Sequence, residues 1–134
     1  MGAGYLLDSN VIIDYLSGKI HAPGMKAMSD IVDMTPQMSV ISQIEISRFN
    51  DTTENEAVLA SFVNASVIHP LSSNVVELTI ELCKRSKIKM PDAIIAATAR
   101  VKGLVLVTRN TGDFKNVPDL ELFNHWEQGL SLVS

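Results

Sequence analysis

A run of four apolar residues late in the chain constrains its fold more than any other feature. Residues 104–107 contain only leucine and valine, and they follow Gly103, a residue type that commonly ends a helix. A continuous, valine-rich run of this length is typical of a parallel strand that is buried on both faces. Parallel strands of this kind occur almost only in α/β proteins, so the run predicts an α/β fold.

Short apolar segments alternate with helical patterns through the rest of the chain. Strands are predicted at residues 5–8, 38–41, 66–69, 104–107 and 120–123. Helices are predicted at residues 11–16, 25–34, 42–49, 54–64, 72–86 and 91–102. This alternation indicates a mostly parallel sheet. At 134 residues, the chain is expected to form a single domain over residues 1–134.

Composition excludes several classes of protein. Hydrophobic residues make up 46% of the chain, which is high for a small domain and suggests an apolar face that binds a partner or a second copy. No apolar run reaches the ~18 residues that span a bilayer, and the N-terminal sequence does not resemble a signal peptide. Cys83 is the only cysteine, so an intrachain disulfide is excluded. These features predict a cytoplasmic protein without a membrane partner.

Charge is unevenly distributed along the sequence. The net charge is −4, but residues 84–115 hold eight basic and two acidic residues. A basic segment of this kind can bind an anionic polymer such as a nucleic acid. On this feature alone, a solvated basic helix face is the favoured interpretation.

Four acidic residues lie in four separate segments, and three of them have apolar neighbours. Asp8 ends the first apolar run, Glu45 lies between two isoleucines, Asp92 precedes the apolar residues 93–97, and Asp113 follows the late strand. A buried, ionised carboxylate is costly unless it is paired or binds a metal. Converging carboxylates repel each other, and a divalent cation relieves that repulsion. The pattern therefore predicts a phosphoester enzyme that depends on Mg²⁺ or Mn²⁺.

Three of these acids also have ordinary structural explanations. Asp8 can cap the helix that follows it, Glu45 can pair with Arg48 on the surface, and Asp113 can belong to a turn. Asp92 is harder to explain in this way, because positions three, four and seven residues after it are Ile95, Ala96 and Ala99. An acid on such an apolar helix face favours a functional role.

The segments that carry the four acids resemble those of a PIN domain. They read LLDSNVIID at residues 6–14, SQIE at residues 42–45, MPDAIIAATA at residues 90–99 and LVTRNTGDF at residues 106–114. Among PIN domains, the compact length and these sequences are most similar to VapC, the toxin of toxin–antitoxin pairs. The resemblance implies a three-layer α/β/α fold with a parallel sheet, a homodimer, and a metal-dependent endoribonuclease. It also implies inhibition by a cognate antitoxin whose C-terminal segment fills the active-site groove.

Two positions depart from the family pattern. Ser9 stands where threonine is more usual, which retains the hydroxyl. Asn110 stands where some relatives have an acid, so either Asn110 or Asp113 is expected to fill the fourth acidic position.

The resemblance leads to a mechanism in which a metal-activated water hydrolyses RNA. Asp8 and Asp92 are expected to bind one or two Mg²⁺ or Mn²⁺ ions directly, and Glu45 and Asp113 to hold metal-bound waters or a second ion. The residues expected to orient these ligands are Ser9, Asn10, Thr108 and Asn110. The residues expected to contact phosphate are Arg109, Lys87 and Lys89. The expected products carry a 5′-phosphate and a 3′-hydroxyl.

Two other functions are compatible with the same pattern. One is a PIN-like scaffold that binds protein or nucleic acid without cleavage, although four converging acids would bring such a scaffold only repulsion. The other is a phosphatase or a phosphate-accepting receiver, since those proteins also place an acid after their first strand.

Overall fold

The strands and helices of this chain alternate as the sequence predicts. The structure is a computed structural model that describes residues 4–20 and 22–124. The elements in chain order are β1 (Tyr5–Leu7), α1 (Ser9–Leu16), α2 (Ala22–Val32), β2 (Gln37–Ser39), α3 (Val40–Ser47), α4 (Thr53–Asn64), β3 (Val67–His69), α5 (Ser73–Arg85), α6 (Met90–Lys102), β4 (Val105–Val107), a 3-10 turn (Thr111–Asp113) and β5 (Leu122–Phe123).

All strand pairings in the described residues are parallel. β4 lies between β1 and β5, and Leu6 of β1 stands opposite Leu106 of β4. β2 and β3 form a second parallel pair, and β2 lies against β1. The mostly parallel sheet predicted from the sequence is therefore confirmed.

Helices cover both faces of the central strands. Successive residues of a strand point to opposite faces, so Leu6 and Leu7 enter different hydrophobic clusters. Leu6 and Leu106 pack with α5 and α6, whereas Leu7 and Val107 pack with α1 to α4. All four strand residues are fully buried. This arrangement confirms the three-layer α/β/α fold.

The clearest difference from the predicted elements lies at the end of β2. Val40 and Ile41 were expected in a strand but begin α3. The reason is a helix cap, because the Ser39 hydroxyl accepts a hydrogen bond from the Ile41 N–H at 3.0 Å. α2 also begins earlier than expected, at Ala22, with Pro23 in its first turn, where proline is well tolerated.

The ends of β1 and β4 bring distant parts of the sequence together. Because the two strands are parallel, the residues that follow them, Asp8 and Thr108, lie at the same edge of the sheet. The Asp8 N–H donates to the Val107 carbonyl at 3.0 Å and continues the strand pairing by one bond. Ligands of parallel α/β sheets bind at this edge. Within residues 4–20 and 22–124, no helix has the length and apolar character needed to cross a bilayer.

Candidate active site

Asp8 is the most buried of the four predicted acids, with 5% of its surface exposed. One carboxylate oxygen accepts from the Ser9 N–H at 2.9 Å and caps α1. The other accepts from the Thr108 hydroxyl at 2.9 Å and from the Asn10 amide at 3.4 Å. Asp8 is therefore a helix cap and also a member of the carboxylate cluster, so the two interpretations of this residue are compatible.

Glu45 is held by α1 rather than by its own helix. The Ser9 hydroxyl donates to Glu45 Oε1 at 2.8 Å. The surface pair with Arg48 that the sequence allowed is not among the ion pairs of residues 4–20 and 22–124. Ser9 therefore contacts two of the acids, since its N–H binds Asp8 and its hydroxyl binds Glu45.

Asp92 lies in the first turn of α6, where the sequence predicted it. Pro91 precedes it, and Ile95, Ala96 and Ala99 on the same face are buried. Burial raises the pKa of the Asp92 carboxyl, and the charges of Asp113 and Glu45 raise it further, while Lys89 lowers it.

The four acids form one group of mutually repelling charges. The pKa of Asp8 is raised from 3.8 to about 6, chiefly by burial and to a smaller extent by the charges of Glu45 and Asp92. The hydrogen bonds from Thr108 and Ser9 act in the opposite direction and lower it. The charge of Asp113 raises the pKa of Asp92. Each of the four predicted acids therefore interacts electrostatically with at least one of the other three.

The donor set suits a hard divalent cation. No group of three or more His, Cys, Asp or Glu side chains in the described part of the chain is already arranged around a metal-sized space. Mg²⁺ does not require such a cage, because it commonly binds one or two carboxylates and keeps several waters. Asp8 and Asp92 offer two carboxylates whose pKa values are raised by burial and, to a smaller extent, by repulsion from neighbouring acids, and a bound cation would favour the charged form of both.

Asp14 and Arg109 form an ion pair that the sequence analysis did not foresee. Arg109 Nη1 donates to Asp14 Oδ2 at 2.6 Å, and Asp14 is 5% exposed. The available signal was an acid within the otherwise apolar run of residues 11–16, four residues after Asn10. Of the other predicted phosphate contacts, Lys87 and Lys89 are exposed, and the charge of Lys89 reaches Asp92.

Replacement of Thr108 by valine is expected to destabilise the metal-free protein by about 2 kcal/mol. The Thr108 hydroxyl is fully buried, donates to the ionised Asp8 and accepts from the Asn110 N–H at 3.1 Å. A hydrogen bond to a charged group contributes about 1.5–3 kcal/mol. Urea unfolding in EDTA near neutral pH measures the change, with Thr108→Ser as the matched control that keeps the hydroxyl. Equal stability of the valine and serine variants would contradict this account of the bond.

Comparison with known proteins gives this arrangement a family context. A family model described as PIN domain matches residues 5–120. No protein in a search of curated proteins matches.

Several solved structures share the fold over almost the whole chain. A toxin–antitoxin complex from Klebsiella pneumoniae is 28% identical, with a TM-score of 0.74 over 92% of this chain and 99% of that one. VapBC2 from Rickettsia felis, bound to a DNA fragment from its promoter, is 26% identical, with a TM-score of 0.69 over 90% and 97%. DNA-bound VapBC from Salmonella typhimurium is 20% identical, with a TM-score of 0.75 over 92% and 99%, and shows likeness of fold alone. With the family match covering most of the chain, this protein belongs to the PIN domain family.

Proposed function

We propose that this protein is a VapC-type toxin, a metal-dependent endoribonuclease of a toxin–antitoxin pair. The observation that carries the proposal is the group of four mutually repelling carboxylates at the ligand-binding edge of a PIN-family sheet. The likeness to the Klebsiella pneumoniae toxin–antitoxin complex and to Rickettsia felis VapBC2 supports it. We also infer that residues 1–134 form a single PIN domain and that the protein acts in the cytoplasm, where RNA is available.

Asp8 and Asp92 are the proposed direct ligands of Mg²⁺ or Mn²⁺. Their raised pKa values support this assignment, because burial and repulsion disfavour the ionised form of both carboxylates, and a bound cation would stabilise that form. Glu45 and Asp113 would act through water or hold a second ion. When bound, the metal supplies Lewis acidity, which makes water a stronger nucleophile and polarises the scissile phosphate.

The surrounding side chains keep the carboxylates ionised and oriented. The Thr108 hydroxyl and the Ser9 N–H each stabilise the charged form of Asp8, since hydrogen bonds to a carboxylate lower its pKa. The Ser9 hydroxyl fixes one oxygen of Glu45. The Asn110 N–H donates to the Thr108 hydroxyl. The charge of Asp113 acts on Asp92, which supports Asp113 as the residue that fills the fourth acidic position.

RNA is the proposed substrate, and its phosphates are held by lysines beside the carboxylates. Lys89 immediately precedes α6, is exposed, and lies close enough to Asp92 to lower its pKa. Lys87 is exposed two residues earlier in the same basic segment. Together they offer positive charge that can bind the backbone of a polyanion at the edge of the cluster.

A cognate antitoxin and a second copy of the chain are the proposed protein partners. Large apolar side chains are exposed on several helices, including Ile44 at 54%, Ile80 at 52% and Met90 at 65%. Exposed apolar surface of this kind commonly marks an interface.

The proposed function predicts specific chemical ends on the RNA fragments. Because water is the nucleophile, the products should carry a 5′-phosphate and a 3′-hydroxyl, and a single 2′-deoxynucleotide at the cut should still allow cleavage. Total cellular RNA incubated with Mg²⁺, Mn²⁺ or EDTA, followed by end mapping, tests this. A 2′,3′-cyclic phosphate would contradict the mechanism. Absence of cleavage by folded, inhibitor-free protein would favour the scaffold, and activity on a small phosphomonoester alone would favour a phosphatase.

A further inference from the structure

Arg109 holds residues 108–113 against the rest of the protein. Residues 108–113 follow β4, end with the 3-10 turn, and include Thr108 and Asp113. Arg109 follows Thr108 directly, and its side chain, its N–H and its carbonyl each bind a different group. The segment is therefore held through Arg109 at three separate points.

The first point is the ion pair with Asp14, in the second half of α1. Asp14 is almost fully buried, and the Nη1–Oδ2 distance of 2.6 Å is that of a charge-assisted hydrogen bond. Removal of one member of a buried ion pair is strongly destabilising, so this contact is expected to hold the two segments together. The Arg109 guanidinium therefore contacts α1 through Nη1.

The other two points are backbone hydrogen bonds. The Arg109 N–H donates to Asn10 Oδ1 at 3.3 Å, in the first turn of α1. The Arg109 carbonyl accepts from the Asn124 amide at 3.3 Å, and Asn124, which follows β5, is 5% exposed. Two of the three attachments therefore lead to α1.

α1 is also the helix that Asp8 caps. Asp8 precedes its first residue, and the Thr108 hydroxyl binds the Asp8 carboxylate at 2.9 Å. A shift of residues 108–113 along α1 would therefore change the distance between Thr108 and Asp8. It would also move Asp113 relative to Asp92.

We propose that Arg109 is a positioning residue whose ion pair with Asp14 holds residues 108–113 in register with α1. Thr108 is thereby kept on Asp8, and Asp113 is kept beside Asp92. This inference rests on the proposed function for its consequence at the metal site, but the anchoring itself does not depend on it. It is an alternative to the expectation that Arg109 contacts phosphate.

The two roles of Arg109 predict different behaviour of Asp14. If Arg109 positions the segment, Asp14→Asn and Arg109→Met should each weaken Mn²⁺ binding by about 10-fold or more, as loss of supporting partners commonly does. Binding of uncleaved RNA in EDTA should then be unchanged. If Arg109 contacts phosphate instead, Asp14→Asn should leave Mn²⁺ binding unchanged. Arg109→Met should then weaken RNA binding and reduce its salt dependence by about one charge.

The experiment combines Mn²⁺ titration followed by electron paramagnetic resonance with RNA binding by fluorescence anisotropy in EDTA at several salt concentrations. Lys115→Met is the matched control, because Lys115 is an exposed basic residue two positions after residues 108–113. The double variant Asp14→Asn with Arg109→Met guards against misfolding, since it removes both charges of the ion pair together. Its Mn²⁺ affinity should equal that of the weaker single variant. Additive losses would overturn the proposal.

Hydrogen exchange in the metal-free protein gives a readout that does not require activity. Faster exchange of residues 108–113 in both single variants, with the rest of the chain unchanged, is expected. Unchanged exchange and unchanged Mn²⁺ affinity in both variants would overturn the inference. Wild-type protein that binds Mn²⁺ but cleaves no RNA would contradict the proposed function alone, and exchange would still test the anchoring if Mn²⁺ did not bind.

Discussion

Asp92→Asn is expected to lower cleavage of cellular RNA by at least about 100-fold without disturbing the fold. Loss of a residue that only supports a metal ligand commonly costs about 10–100-fold, so loss of a proposed direct ligand should cost more. The amide keeps the size of the side chain but removes the charge, and Asp92 is only partly buried in the first turn of α6. Cleavage of total RNA in Mn²⁺, with circular dichroism as the check on folding, measures the effect.

The matched control for this variant is Asp33→Asn. Asp33 is exposed and lies before β2, at the opposite end of that strand from the carboxylate cluster. Its replacement removes the same charge and should leave cleavage unchanged. Equal activity of the Asp92 variant and the wild type would remove Asp92 from the site and with it the proposed metal ligation.

Asp8→Asn is expected to stabilise the metal-free protein near neutral pH by roughly 2–3 kcal/mol. The pKa of Asp8 is 3.8 in the reference state and about 6 in the fold, so the folded protein binds the proton more tightly than the unfolded chain does. A difference of this size corresponds to roughly 3 kcal/mol, because each pKa unit is worth about 1.4 kcal/mol. Asparagine removes the unfavourable charge and is also a good helix cap.

The same shift fixes how this difference depends on pH. The contribution of Asp8 to stability is greatest below its unfolded pKa of 3.8 and is lost as pH rises through its folded pKa of about 6. The gap between variant and wild type should therefore open between those two values and stay constant above them. Urea unfolding of both proteins in EDTA across this range measures it. A variant that is less stable than wild type near neutral pH would contradict the account.

Mn²⁺ should reverse the order of stability. A ligand that binds only the folded state stabilises it in proportion to its affinity, so the wild type should gain thermal stability on Mn²⁺ addition. The Asp8→Asn variant should gain little, because it lacks a proposed direct ligand. Thr108→Ser serves as the comparison in which the hydroxyl beside Asp8 is kept. Equal Mn²⁺ stabilisation of wild type and variant would show that Asp8 is not a ligand.

The acids could be predicted because they break local patterns. Asp8 directly follows an apolar run, and Asp92 stands on an apolar helix face. Each acid is therefore recognisable from the few residues around it. The parallel sheet was equally visible, because the run at residues 104–107 has no polar face. In each case the burial of a residue follows from its neighbours in the sequence, so a short stretch of sequence is enough to predict it.

The pairings were harder to predict, because they depend on tertiary contacts. Asp14 and Arg109 are 95 positions apart, and nothing near either residue identifies the other. Glu45 had a plausible local partner in Arg48, but it is bound by Ser9, 36 positions away. The end of β2 was also hard to predict. Val40 and Ile41 are β-branched residues that favour a strand, but the Ser39 cap places them in α3.

The central position of β4 has a consequence for synthesis of the protein. Its partners are β1, at the start of the described chain, and β5, near its end, so about a hundred residues separate the two halves of the β1–β4 pairing. While a ribosome translates the chain, the sheet lacks its middle strand, and Asp8 lacks the hydroxyl that orients it. The surroundings of Asp8 are therefore expected to assemble only after residues 105–113 have emerged from the ribosome and β4 has paired with β1.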